Sequence, residues 1–374
     1  MSLSSSSPVE RDIWIDWGKA LASQLIVWHH LLIYGPMGRN ATPAAQGLWD
    51  WLADEARMAV QIFLVMGGYL AARALLPPWG QAPKPLRTSA WRSWGRAVRL
   101  RYQRLMGLGA LAVGVAVLAA AWTRDILPDP DTPEAPSGWQ WLANVGLLHD
   151  LLGWDSVNAG LWYVAIDWQL FACLAALACW QRSGGRPWRR SVAAWGVMAG
   201  GVAALFWANL QPGWDVAAPY FWGSYALGVV AFWLRHASPA VRQTGAILLA
   251  ATLMLALMWA WRERLVWAGL TAGVLIFQPG ARWLARSAWQ PLMRWLADIS
   301  YPVFLFHYSV CMVCGAWVGR MWPGDVAAHT LGLFGTWGLC LLVGWAVTEG
   351  EGRWRRARQA RMARPVQTCA SLAQ

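Results

Sequence analysis

Residues 16–32 read DWGKALASQLIVWHHLL. As part of a longer apolar run over 13–34, this stretch makes a helix long enough to cross a hydrocarbon layer of about 30 Å. Its apolar frame is interrupted on one side only. Lys19 and His30 stand eleven residues apart, about three helical turns, so they share a face and lie roughly 16 Å apart along the axis. Asp16, three residues before Lys19, joins the same stripe. Ionisable groups in a membrane span are costly and usually mark a pathway or a reactive site.

The same kind of run recurs outward from this segment along the whole chain. Apolar residues make up 57% of the 374 and charged residues 13%, well below the roughly 25% usual in soluble domains. Candidate spans are 13–34, 52–76, 103–122, 161–180, 191–210, 219–234, 244–261, 265–278, 296–319 and 330–348, of which 219–234 and 265–278 are short. The runs are solidly apolar rather than alternating, which excludes a barrel. The expected fold is all-α: a polytopic membrane bundle of about ten helices.

A formal charge of +12 suggests nucleic acid at first sight, but its placement reports orientation instead. With ten spans, 25 of the 31 Lys and Arg fall on the side of the N-terminus, leaving Arg39, Arg57, Arg124, Arg262, Arg264 and Arg320 on the other. This positive-inside bias puts both termini in the cytoplasm. The expected layout is a disordered segment over 1–12, a membrane domain over 13–348, and a basic tail over 349–374. An uncleaved first helix is read in preference to a signal peptide. The outside segment 123–160 contains WQWLANVGLLHDLLGW, which suits a short interfacial or re-entrant helix.

The other polar landmarks lie inside or beside the spans. VQIFLVMGGYLAAR carries Gly67 and Gly68, which allow close approach of another helix. RAVRLRYQRLMGLG carries Arg101 and Arg104, three apart on one face where the chain enters the membrane. Snorkelling anchors and a phosphate-binding pair are both open there. LWYVAIDWQLFA places Asp167 about two turns into its span, with Gln169 close by and Trp162 before it. A carboxylate at that depth needs a partner: Lys19, an arginine, a tryptophan N–H, or a reactive group such as His30 at comparable depth. DISYPVFLFHYSV puts Ser300 and His307 on one face beside Tyr301, with Asp298, Ser300 and Pro302 read as helix-start chemistry. His307 serves packing or catalysis. Glu349 is expected to pair with the basic tail. The six cysteines are read as small packing residues, and many of the 32 tryptophans as interface anchors.

In order and spacing these segments resemble the acyltransferase family 3 membrane proteins, a group that includes O-antigen and capsule O-acetyltransferases, nodulation-factor acyltransferases and macrolide acylases. The resemblance runs from about residue 12 to 350. Asp16, Lys19 and His30 match the family's Asp-x-x-Arg…His spacing, IFLVMGGYL its FFxxSGF segment, and RYQRL its Arg-x-x-Arg pair. LWYVAIDWQLF stands for a segment with glutamate where Asp167 lies, and ISYPVFLFH closely follows the Ile-Ser-Tyr…His stretch. Lys19, Gly67 and Asp167 depart from the family pattern.

The resemblance implies acyl transfer, commonly acetyl, from cytoplasmic acyl-CoA as co-substrate to a hydroxyl of a cell-surface glycan or lipid-linked saccharide, in the inner membrane of a bacterium. An alcohol needs a base near neutral pH. The expected base is His30, oriented by Asp167 as in other His–carboxylate pairs. His29 is a rival that points about 100° away. Arg101 and Arg104 are expected to hold the CoA phosphates and Lys19 to contact the donor or neutralise Asp16. Asp16, Trp162, Gln169, Ser300, Tyr301 and His307 are expected to support substrate or structure. No metal ligands and no permanently bound cofactor are expected, and the bilayer is the other partner. An acyl-histidine or acyl-serine relay is a variant. A transporter or flippase with a Lys–His–Asp path is the competing class, and a catalytically silent partner protein a third.

Overall fold

The computed structural model describes residues 11–184 and 186–363, with side chains described to residue 360. The described residues are helical, with no strand among them. Ten longer helices are joined by loops and short helical turns: α1 (Ile13–Ile33), α2 (Ala59–Leu75), α3 (Ala90–Ile126), α4 (Leu161–Arg182), α5 (Pro187–Phe206), α6 (Ala218–Arg235), α7 (Pro239–Trp259), α8 (Glu263–Phe277), α9 (Gln290–Met321) and α10 (Val326–Ala363). Seven stretches are long and apolar enough to cross a membrane: 46–75, 90–126, 161–182, 187–210, 239–259, 290–321 and 326–360.

The three long helices outside that set have physical reasons to be there. Helix α8 has 15 residues, about 22 Å at the helical rise, short of a full hydrocarbon thickness. Helices α1 and α6 carry their polar groups inward. Asp16, Ser23, His29 and His30 of α1 are buried, and Ser224 of α6 donates to Gln61 Oε1 of α2 at 2.6 Å. The polar groups of these two helices therefore meet protein neighbours rather than water.

Helix ends depart from the expected spans wherever polar residues continue a helix. Helix α3 starts at Ala90, capped by the Ser89 hydroxyl, and α10 runs to Ala363. The expected second span is broken instead: a helix over 46–54 and a turn at 56–58 precede α2. Pro302 is not at a helix start. Helix α9 begins at Gln290 with Pro291 in its first turn, so Pro302 lies deep inside and leaves the Asp298 carbonyl without its usual N–H donor. Glu351, not Glu349, makes the ion pair with the basic tail among the described residues, at 2.5 Å to Arg355. The segment expected to be an interfacial or re-entrant helix forms a short helix over 138–145, with Trp139 exposed.

Residues 1–10 of the segment expected to be disordered lie outside the described residues. Its last two are firmly held. Asp12 caps α1 by accepting from Trp14 N and Ile15 N and pairs with Arg235 of α6. Arg11 bridges Asp16 at 3.0 Å and Asp298 of α9 at 2.7 Å.

Five helices close a ring in the order α1, α2, α4, α3, α9, each packed on the next and α9 back on α1. Helices α5, α6 and α8 pack outside the α2–α4 side, and α10 packs on α9. The tightest crossing is α2 on α6. A Cβ added to Gly68 would lie 2.0 Å from the Tyr225 carbonyl oxygen, and one added to Gly228 would lie 1.9 Å from that of Val65. Only hydrogen fits between these backbones, so the glycines set how closely the outer layer holds the ring.

Candidate active site

A cavity of about 380 Å³ lies inside the ring. Each ring helix contributes to its wall: Lys19 from α1, Gly67 from α2, Arg101 and Arg104 from α3, Asp167 from α4, and Ser300 and Tyr301 from α9. It continues into a wider mouth of about 820 Å³ at the end where α1 begins, with Lys19, Leu70, Arg101 and Arg104 common to both. The mouth adds Arg11 and Arg73 as cations, and Asp12 and Asp16 as carboxylates. Both carboxylates are already paired, with Arg235 and Arg11 respectively. Lys19 and Arg104 make no ion pair among the described residues, so the opening presents net positive charge.

Asp167 does not meet His30. Its Oδ2 accepts from Arg101 Nη2 at 2.5 Å and from Arg101 Nε at 3.2 Å, and the carboxylate is only 4% exposed. The guanidinium also lies 5.2 Å from the Phe171 ring centroid. The expected His30–Asp167 pair is therefore corrected to Arg101–Asp167. The reason is reach: α3 lies directly against α4, and a buried carboxylate takes the nearest cation that satisfies its lone pairs. One consequence is that Arg101 is held in place, whereas Arg104 projects free.

His30 pairs with another histidine. Its Nδ1 lies 2.6 Å from Nε2 of His307 on α9, and the two rings are stacked 4.9 Å apart. Nδ1 of His307 lies 2.8 Å from the carbonyl oxygen of Phe304 and 3.2 Å from that of Val303. A carbonyl can only accept, so His307 carries its proton on Nδ1. In the neutral ring Nε2 then accepts, which requires the proton of His30 on Nδ1 and leaves the lone pair of His30 on Nε2. Among the described residues that nitrogen has no hydrogen-bond partner. The pair thus fixes His30 in the tautomer of a base, the role expected of Asp167.

Phe304 links the two parts. Its carbonyl holds His307, and its side chain lines the cavity with Phe63 and Tyr163. Those three rings pack with centroids 5.6–6.2 Å apart. The cavity ends against this aromatic wall, beyond which lies the imidazole pair.

The remaining expected residues divide between cavity and scaffold. Asp16 is neutralised by Arg11 rather than Lys19. Tyr301 lines the cavity, but its hydroxyl donates to the Leu105 carbonyl at 2.7 Å. Ser300 lines it too, its hydroxyl donating to the Ala297 carbonyl at 2.8 Å. Gln169 Oε1 accepts from Ala218 N at the start of α6, and Trp162 packs on Phe221 and Tyr163. These two hold the bundle together and do not line the cavity. Sequence reasoning missed Arg11, which lies beyond the apolar run, and the Phe63–Tyr163–Phe304 wall, which looks like ordinary core.

No curated protein and no solved structure matches the chain. An acyltransferase family does: the sequence model described as an acyltransferase domain, acyltransferase family 3, matches residues 12–347, nearly all of the chain. This protein, helical with no strand among its described residues and with several apolar helices long enough to span a bilayer, belongs to that family of membrane acyltransferases.

Proposed function

We propose that this protein is a membrane-embedded O-acyltransferase that moves an acyl group, in the simplest case acetyl, from cytoplasmic acyl-CoA to a hydroxyl of a cell-surface glycan or lipid-linked saccharide. It resides in the bacterial inner membrane with all ten long helices crossing or nearly crossing the bilayer and both termini cytoplasmic. The charge distribution supports that orientation, since the basic end faces inward under the positive-inside rule.

The observation that carries the reading is the ring cavity itself. It opens through free cations, Lys19 and Arg104, and ends at a wall one hydrogen bond away from the His30–His307 pair. A long donor with phosphates at one end and a thioester at the other suits that layout. Arg104, Lys19 and Arg73 supply charge for the phosphates. Arg101 is placed by Asp167 to contribute its remaining N–H donors.

His30 Nε2 takes the proton of the acceptor hydroxyl as its oxygen bonds to the thioester carbon. The C–O bond forms, the C–S bond breaks, and the leaving thiolate receives the proton from the imidazolium. His307 Nε2, accepting from His30 Nδ1, holds the ring and spreads the charge that develops. General base catalysis of this kind is typically worth about 10²–10⁴-fold.

Mass spectrometry of envelope glycans from a strain lacking the protein, compared with its parent, tests the function. Loss of a fixed acyl mass increment from one glycan is expected. Identical acylation in the two strains, with the parent expressing the protein, contradicts it.

A further inference from the structure

We infer that a second pocket, at the end of the bundle opposite the basic mouth, receives the acceptor hydroxyl. The inference rests on the acyl-transfer reading above and adds where, and with which residues, the acceptor is held. The pocket has about 10 Å³ of free space, room for roughly one water or one hydroxyl group. Tyr34, Thr123, Thr132, Asp129 and Asp131 line it.

Thr123 points to a ligand. It is 3% exposed, and its Oγ1 is sealed from solvent with no hydrogen-bond partner among the described residues. Leaving a buried hydroxyl unmet is costly, by roughly the full desolvation of the group. A single hydroxyl placed in this pocket would satisfy it, accepting from or donating to Thr123. Tyr34 ties the pocket to the chemistry. It follows His30 by one turn of the same helix, and their rings lie 5.3 Å apart.

The chemistry of the lining favours a neutral saccharide. Asp129 and Asp131, which share the single cation Arg39, leave one net negative charge that disfavours an anionic acceptor, and their remaining lone pairs can accept sugar hydroxyls. Tyr34, packed edge to face on the buried Tyr308 at 5.0 Å, offers the lining an aromatic surface for a sugar C–H face. A ring is too large for the pocket as it stands, but the segment over it is fastened to its neighbours through side chains rather than a backbone ladder, with Arg124 donating to the Pro133 carbonyl and the Tyr308 hydroxyl to that of Asp131. Asp131 accepts from Gly35 N at 3.1 Å, and Arg39, about half exposed, bridges Asp129 and Asp131. The Asp131 arm of this bridge is a third exposed and holds weakly, whereas the Asp129 carboxylate is 8% exposed and better held. The strap therefore lifts at Asp131 to admit the sugar while its hydroxyl takes the inner position.

Membranes containing the full-length protein are supplied with radiolabelled acetyl-CoA and, as acceptor, the alkali-deacylated glycan fraction of a strain lacking the protein. Thr123→Val, equal in shape, should raise the half-saturating glycan concentration about five- to tenfold, the cost of one lost hydrogen bond, with no matching rise for acetyl-CoA. Thr123→Ser, which keeps the hydroxyl, should restore it. Unchanged glycan dependence in Thr123→Val overturns the proposal, and coupled to a lower unfolding temperature it reassigns the pocket to a structural water. A parallel rise for both substrates also overturns it. Wild-type membranes that never consume the thioester would overturn the acyl-transfer reading as well, a result separable from the others.

Discussion

Replacing His307 with phenylalanine keeps a flat ring in a fully buried site but removes the acceptor that holds the Nδ1 proton of His30. The structure allows the effect to be sized. A buried donor left without its partner costs about 1–3 kcal/mol. If that cost falls wholly on the transition state, where His30 becomes charged and needs the bond most, it corresponds to about a 5- to 150-fold loss of rate. The loss should appear in kcat, because His307 does not line the cavity. The assay is transfer of radiolabelled acetyl from acetyl-CoA in membranes matched for protein content. His307→Gln, whose amide oxygen can accept from Nδ1, should recover part of the rate. Full activity in His307→Phe, with expression and unfolding temperature unchanged, would refute the argument that this imidazole sets the tautomer of His30.

Three further outcomes follow from other contacts. Asp167→Asn weakens the clamp on Arg101, so the half-saturating acyl-CoA concentration should rise about fivefold or more with kcat little changed; a fall in kcat alone would return Asp167 to the side of His30. Gly228→Ala places a Cβ 1.9 Å from the Val65 carbonyl oxygen, which must part α2 from α6, so the folded yield in detergent should drop sharply; a normal yield and unfolding temperature would contradict that crossing. Asp150, in the loop before α4, has its carboxyl pushed up to about 6 by burial and by Asp215 and Asp155. The folded protein therefore binds that proton more tightly than the unfolded chain, and stability falls as pH rises from about 4 to about 6 and stays lower above. Discounted for solvent screening at a side chain that is 19% exposed, the effect is on the order of 1 kcal/mol. Asp150→Asn should accordingly unfold at a higher temperature than wild type at pH 7.5 and lose that advantage below about pH 4, whereas an equal difference at both would disprove the shift.

Much of the bundle is legible in the apolar runs, because burial in lipid or in protein demands the same residue types. What the runs do not mark is where a helix stops. Helix α3 begins thirteen residues before the expected span and α9 six before it, since basic and amphipathic residues continue a helix after hydropathy has fallen. That is why Pro302, apparently in a first turn, proves to be internal. At the site, the stripe of Asp16, Lys19 and His30 and the depth of Asp167 could be read from spacing alone. Their partners could not. Asp167 finds Arg101 across 66 positions and His30 finds His307 across 277, and those meetings depend on which helices are neighbours in the ring. Sequence left an arginine among the options for Asp167 and packing or catalysis for His307; the order of the ring helices decides both contacts.

The central claim is that His30 is the base, acting just beyond the aromatic wall at which the donor cavity ends. Acyl transfer by His30→Ala, measured in membranes at equal protein level and saturating acyl-CoA, tests it most directly. The account predicts a loss of about 10²–10⁴-fold, with acyl-CoA binding through Arg104 and Lys19 retained. Transfer at the wild-type rate by that variant would contradict it.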